Sequence, residues 1–443
     1  ANFRRGEALF VAQRFKDAEA AYGRVLERGP ETAFHRQALY KHGWSLFRQE
    51  RHRDAEASFF SLLDLELGAD ADTDAVGRYA AMSRAEQELV DDTLRVLAIG
   101  FSYLDGPGSA SAALERLGPR PYAYIVYLTL GELYIEQERW QDAAAAYRAF
   151  VELDPWHEKA PLLQAEAVSA FEQGGFADLV LDGKRAFVER YGPDSPYWAR
   201  HTFDAQPEVV GHLRAHLKDL AAHHHAEAQR TGTPAEFSAA ARWYRAYLAS
   251  FPDADDAPAT NHLLAELLYE SGDYAGAADE YERTAYGYPL HAESSDAGYA
   301  ALIAYARHEE TLTGAERTAW HRRGIDSALR FAAVALWAMV WFFAGGHGPA
   351  RAQDAPGWSL VTIGVLAYRG PDEFQAQWAP LRAYLDIAVP GWQFQFIPVT
   401  LVSARTQLEN GTLDFLITNP GHYVTLEPDF PMSVLATRVR PAE

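Results

Sequence analysis

Tyr127 to Pro155 reads "YLTLGELYIEQERWQDAAAAYRAFVELDP", and its small and aromatic residues stand at fixed offsets. Leu130-Gly131, Tyr134, Ala143, Tyr147, Phe150 and Pro155 carry the pattern. It is what a helix-turn-helix produces when small residues mark the place where two helices touch and aromatics wedge them together. Working outward, the same spacing returns with Gly6, Ala18, Tyr22 and Pro30, and again with Gly43, Leu46, Ala55, Phe59 and Leu62. Further copies hold Ala240, Tyr244 and Pro252, then Ala265, Leu268, Ala277, Tyr281 and Pro289. Gly6 and Gly43 are 37 residues apart, as are Pro252 and Pro289.

These offsets resemble the tetratricopeptide repeat, a helical hairpin of about 34 residues. The resemblance implies a TPR-like α-solenoid, expected to hold seven or eight helical hairpins over residues 1–330; with an apolar helix and a small partial α/β lobe read after it, the chain is expected to be mainly α. Weaker helical pairs are expected over 74–118, 160–191 and 206–230, and a longer pair from Asp296 onward. Stacked hairpins cannot bury their apolar faces alone, so each leans on its neighbours and the row curls around a concave groove. The recurring Ala, Gly and Tyr positions are therefore structural.

By the resemblance, function resides on the groove, at first-helix positions between the packing residues. Carried over by spacing, these are Tyr40, Trp44, Phe47, Leu128, Glu132, Glu136, His262, Glu266, Tyr269 and Glu270. The set is aromatic and acidic. It suits a protein partner, a peptide or helix bearing basic and apolar side chains, with aromatics as anchors and carboxylates giving orientation. A solvated face with no dedicated ligand is the competing reading.

The chain has 443 residues, nearly half of them apolar, enough to bury a substantial core. Its formal charge of −21 argues against nucleic acid as the main partner, because phosphate binding needs a concentrated basic surface. The absence of cysteine removes disulfides, thiolate metal sites and Cys nucleophiles, and fits cytoplasm and periplasm equally. The run His223-His224-His225 cannot converge on one ion, since consecutive helical side chains point about 100° apart, so no metal site is expected there. No spacing supports a Ser-His-Asp, Cys-His or paired-carboxylate centre, so no catalytic residue and no cofactor are expected.

Phe331 to Ala344 runs without a charge, shorter than the roughly twenty residues a bilayer-spanning helix needs. Arg322, Arg323 and Arg330 precede it and Ala350-Arg351-Ala352 follow, the layout of a secretory signal. Residues 331–352 therefore read as a signal-like or anchoring segment, with three alternatives open. One is a cleaved signal at the junction of two genes read as one. Another is an uncleaved anchor, with the solenoid cytoplasmic by the positive-inside rule. The third is a buried last helix of the solenoid. Because the chain opens at Ala1 inside a helical pattern and stops soon after "SVLATRVRPAE", it also reads as a fragment at both ends.

From Trp358 the text alternates strands and helices: "SLVTIGVLAY", "EFQAQWAPLRAYLDIAV", "WQFQFIPV", "LVSARTQLENG" and "LDFLITNP". That alternation predicts parallel strands joined by crossover helices. With "IGVLAYRG" and "ENGTLDFLITNPGHYVTLE", residues 353–443 resemble the first lobe of the phosphate/phosphonate-type periplasmic solute-binding domains, as found in sensor histidine kinases. The resemblance implies a small oxyanion held by loops at the C-terminal strand ends, from Tyr368, Thr418, Asn419, Gly421, His422 and Tyr423. A plain strand-to-helix turn at Asn419-Pro420-Gly421 is the competing reading. The second lobe of such a clamp is missing from the sequence. Two functions thus stand: a non-catalytic interaction scaffold in the groove, or a membrane-attached or periplasmic bacterial sensor fragment binding a small anion.

Overall fold

The computed structural model describes residues 1–70, 73–289, 291–345, 359–366 and 392–418, with isolated positions within 374–385 and 426–430; side chains of 332–345 fall outside the described set. Seventeen α-helices come first among the described residues, with one short 3₁₀ helix (Pro196–Ala199) between the eleventh and twelfth: α1 (Asn2–Val11), α2 (Phe15–Leu26), α3 (His35–Phe47), α4 (His52–Leu67), α5 (Ala75–Ala81), α6 (Arg84–Ser102), α7 (Pro107–Leu117), α8 (Ala123–Glu136), α9 (Trp140–Leu153), α10 (Ala160–Gln173), α11 (Ala177–Tyr191), α12 (Pro207–Thr231), α13 (Pro234–Ser250), α14 (Ala257–Glu270), α15 (Tyr274–Tyr286), α16 (Ser294–Glu309) and α17 (Gly314–Gly345). Then come β1 (Ser359–Leu366), β2 (Trp392–Val399), α18 (Leu401–Glu409) and β3 (Phe415–Ile417). Two compact units divide the chain, Ala1–Thr231 with Arg245–Phe251, and Gly232–Tyr244 with Pro252–Glu443.

Within the first unit α1 to α4 pack each on the next, α4 on α6, α6 on α7 and α8, and α8 to α12 each on the next. In the second unit α14 to α17 do the same. The interlock explains the spacing. A Cβ built on Gly6 would stand 2.6 Å from the Tyr22 ring, one on Gly43 would stand 2.6 Å from Phe59, and one on Gly131 would stand 2.2 Å from Tyr147. No carbon fits at those distances, so in these three pairs the first helix carries glycine where the second helix lays an aromatic ring. Ala265 and Tyr281 are both buried at the same separation. Each ring so buried contributes on the order of 2 kcal/mol of hydrophobic stabilisation.

The turns inside the pairs repeat as well. Gln13, Glu50 and Glu138 take the left-handed conformation at φ 57°, 60° and 57°, where the later pairs use Gly175 and Gly272. The next residue in three of these turns is an arginine that donates to an aspartate three positions on: Arg14 to Asp17, Arg51 to Asp54 and Arg139 to Asp142, each at 2.8 Å. Such i,i+3 pairs are worth a few tenths of a kcal/mol but fix where the second helix starts.

Two expectations are corrected. Residues 74–118 hold three helices, α5, α6 and α7, rather than one pair. Residues 206–230 do not form a helical pair: Pro207–Thr231 is a single helix of 25 residues. After Gly211 the segment has no Gly or Pro before Gly232 to break it, and its Ala, Leu, His and charged residues sustain one helix. The apolar stretch also continues a helix already under way. Phe331 is buried, with its ring 2.7 Å from where a Gly298 Cβ would be, so α17 packs on α16 with residues from both sides of 330. Among the described residues no helix is long and apolar enough to cross a membrane.

The C-terminal strands form a parallel sheet in the order β2-β1-β3, with Ser359 opposite Trp392 and Ile363 opposite Phe415. Val361, Ile363 and Val365 of β1 and Phe394 and Phe396 of β2 pack with Phe374 and Leu385 in one cluster. Val399, Ala404 and Leu413 form a second, built around α18. The described strand β3 is shorter than the expected 413–420. Gly411, at φ 62°, ends α18 as its place in the sequence suggests.

Candidate functional site

Helix α8 buries Tyr127, Leu130, Gly131 and Tyr134, which leaves Leu128 half-buried and Glu132 and Glu136 exposed. Glu132 retains solvent on one side. Even so, packing around it, the nearby Glu166 of α10 and the Glu136 carboxylate one turn on hold its carboxyl above the usual range. Tyr147 of α9 lies beneath this face with its ring on Gly131. Burial, then Glu166 and Glu132, push its hydroxyl upward.

The aromatic candidates of α3 are arranged differently. Tyr40 donates a hydrogen bond to Asp92 of α6, and burial with that bond pushes its hydroxyl up to about 12. Trp44 meets Tyr40 and Phe47 edge-on, with centroids 6.3 and 5.4 Å away, and Phe47 continues to His52 at 4.7 Å and Tyr103 at 6.3 Å. All three are half-buried. They form a continuous aromatic row that ends at Tyr103, 66% exposed on the outside.

In the second unit, His262 and Glu266 face each other one helical turn apart, with Nε2 to Oε1 at 3.4 Å. The His262 ring stands 5.5 Å from that of Tyr281. Tyr269 packs on Tyr274 at 5.1 Å and interacts with Arg307, while Glu266 and Glu270 both act on the buried Tyr244 and Tyr281 hydroxyls, adding to the upward push of burial. α14 thus gathers its four candidates on one side, as α8 gathers its three.

At the sheet, the three parallel strands end together, at Leu366, Val399 and Ile417. Thr418 follows β3 and is half-buried, and Thr400 caps α18 by accepting from the Ser403 amide at 3.1 Å. Tyr368, Asn419, Gly421, His422 and Tyr423 lie outside the described residues. Along α12, the His223 and His224 rings stand 5.3 Å apart and nearly perpendicular, and no group of three or more His, Asp or Glu among the described residues is gathered closely enough to hold a metal ion.

The tetratricopeptide-repeat family matches residues 3–72, 105–158 and 128–178. The helical array is built of tetratricopeptide-like repeats. Similar solved structures include the TPR domain of P58(IPK), 14% identical, covering 75% of this chain and 97% of that one at a TM-score of 0.18. A tetratricopeptide repeat protein from Parabacteroides merdae is 11% identical, with 64% and 90% covered and a TM-score of 0.20. At those scores neither superposition carries weight, and the assignment rests on the repeat match and on the interlocked pairs. Residues 363–443 match the family described as "ABC transporter, phosphonate, periplasmic substrate-binding protein". The tetrathionate sensor histidine kinase TtrS of Salmonella typhimurium is 36% identical over 75 residues, 17% of this chain and 13% of that kinase. The chain therefore spans a small part of that relative's length.

Within the tetratricopeptide-like array, sequence reasoning misses Glu166 and Tyr147 as parts of the α8 face. A signal for Glu166 is present: Ala165-Glu166 stands 34 residues after Gly131-Glu132, one ideal repeat on. It is obscured because the position on α11 that matches Tyr147 is Leu181, not an aromatic.

Proposed function

We propose that this chain acts as a non-catalytic interaction scaffold, holding a partner peptide or helix against the first-helix residues of its tetratricopeptide-like array. The supporting observation is the division of α8 and α14. The small and aliphatic residues of both helices, with Tyr127 and Tyr134 of α8, are consumed in packing, while Glu132, Glu136 and Glu270 are exposed and Glu266 is half-buried against His262, beside half-buried Leu128 and Tyr269. A surface of carboxylates with apolar anchors selects basic and apolar side chains. Glu132→Lys on α8 and Glu266→Lys on α14, each made singly, should weaken capture of a partner that binds that helix's face in the wild-type chain, with helicity unchanged by circular dichroism. Retention of the partner at full strength by both single variants would contradict the proposal.

The similarities of the C-terminal residues favour a second reading, a bacterial membrane or periplasmic sensor whose lobe takes a small oxyanion near Thr418 and whose segment 331–346 anchors it. Differential scanning fluorimetry with phosphate and with methylphosphonate tests it. A rise in melting temperature with either, removed by Thr418→Ala, supports an oxyanion site, and no shift with both counts against one.

A further inference from the structure

Both ring nitrogens of His291 face oxygens that can only accept a hydrogen. Nδ1 stands 2.9 Å from Oε2 of Glu293, the residue just before α16, and Nε2 stands 2.8 Å from the backbone carbonyl oxygen of Thr284 on α15. That carbonyl is one of the last four of its helix, which have no partner within it. Thr284 is fully buried, so His291 supplies a bond in place of water. Asn261 of α14 holds Thr284 as well: its amide donates to the Thr284 Oγ1 at 2.9 Å and to the Glu280 carbonyl at 2.8 Å. The Glu293 carboxyl lies below the usual carboxylate range, first because of the hydrogen bond from His291, so near neutral pH it is an ionised acceptor.

A neutral imidazole carries one hydrogen and satisfies one of these two contacts; at the other, a nitrogen lone pair would meet an oxygen. Only the imidazolium donates to both. We propose that His291 is a proton-operated clasp between the end of α15 and the start of α16, closed while both ring nitrogens carry hydrogen and open at one contact once a proton leaves. The cation sits where a helix C-terminus favours it, and its carboxylate partner sits at a helix N-terminus. The other charged and titratable groups around it are few. From α14, His262 acts on Glu293. From α15, Glu280 and Arg283 act on Tyr288, whose ring stands 6.4 Å from that of His291, and Arg330 of α17 lies over Tyr286. The proton-bound form makes both bonds, so the clasp is present at low pH and is lost as pH rises. The inference is independent of what the array binds, since α15 and α16 pack on each other within one unit.

The test is hydrogen exchange followed by mass spectrometry on the full chain, corrected for the intrinsic pH dependence of exchange and read in peptides spanning 281–300. Their amides should exchange about 10-fold faster at about pH 8.5 than at about pH 6, the equivalent of one charge-assisted hydrogen bond, while peptides from α8 and α9 keep one corrected rate. His291→Gln does not titrate and should remove the difference. Glu293→Gln is the sharper variant and alters a side chain 45% exposed, so it decides the matter even if His291→Gln disturbs the packing. Its amide can donate to Nδ1 while Nε2–H keeps the Thr284 carbonyl, so a neutral His291 satisfies both contacts and the difference should shrink below about 2-fold. His262→Gln should leave the full difference in place. Equal wild-type rates at the two pH values would overturn the clasp. So would a full difference surviving in E293Q or H291Q, or one lost in H262Q, which would make His262 the titrating group.

Discussion

The neighbouring pairs α8–α9 and α10–α11 have the same architecture and opposite interlocks. In the first, glycine is on the leading helix: Gly131 receives the Tyr147 ring. In the second, Gly183 of the trailing helix lies under Val168 of the leading one, where an added Cβ would meet the Val168 Cγ2 at 2.8 Å. Close approach of two helices requires a small residue at the crossing, and either helix can supply it. A flat aromatic needs a hole of fixed shape, whereas a valine methyl can yield by a small shift.

That difference sets the size of the expected effects. Gly131→Val should be the most damaging, about 3 kcal/mol or more by chemical denaturation, because the atoms in the way are a buried ring with nowhere to go. Next comes pH. His216 of α12 packs edge-on against Phe187 of α11 at 4.9 Å, and its Nε2 is buried without a hydrogen-bond partner among the described residues. Burial first, then Lys184 and His212, lower its pKa from 6.5 to about 4. Between those values the unfolded chain binds a proton that the folded chain refuses, so stability is intact above pH 6.5 and falls as pH drops toward 4. The loss is on the order of 2–3 kcal/mol. His216→Phe should flatten that part of the stability profile, and an unchanged slope would mean that another group causes it.

Gly183→Ala sharpens the comparison. It should cost about 1 kcal/mol, well below the corresponding change at Gly131. The smallest effect is favourable. Glu138 holds φ at 57° in the turn of the α8–α9 pair, where α10–α11 uses Gly175, so Glu138→Gly should raise stability by up to about 1 kcal/mol through relief of strain. A destabilisation would show that the Glu138 side chain contributes more than its backbone costs.

The same contrast explains which parts of the fold are legible. Gly131 with Tyr147, and Gly43 with Phe59, stand 16 residues apart, so the repeats are visible from local spacing. The α10–α11 pair uses another pattern and reads as weak, which also hides Glu166. The expectation of a pair at 206–230 follows from the repeat period alone, although nothing after Gly211 interrupts the helix. The strands of the C-terminal sheet are readable by their alternation with helices, but the pairing of Ser359 with Trp392 joins residues 33 apart and depends on packing that no short window contains. Of the groove candidates, only the placement of Leu128, Glu132 and Glu136 on one side of α8, and of His262, Glu266, Tyr269 and Glu270 on one side of α14, follows from spacing. The engagement of Tyr40 by Asp92, 52 residues on, cannot.

A double-mutant cycle between Gly131 and Tyr147 tests the interlock most directly. Gly131→Ala, Tyr147→Leu and the double variant would be compared with wild type by denaturant unfolding. Removing the ring should make the added methyl tolerable, giving a coupling energy of at least about 1 kcal/mol in the direction of rescue. Additive losses, within about 0.3 kcal/mol, would contradict the claim that glycine and ring are placed for each other.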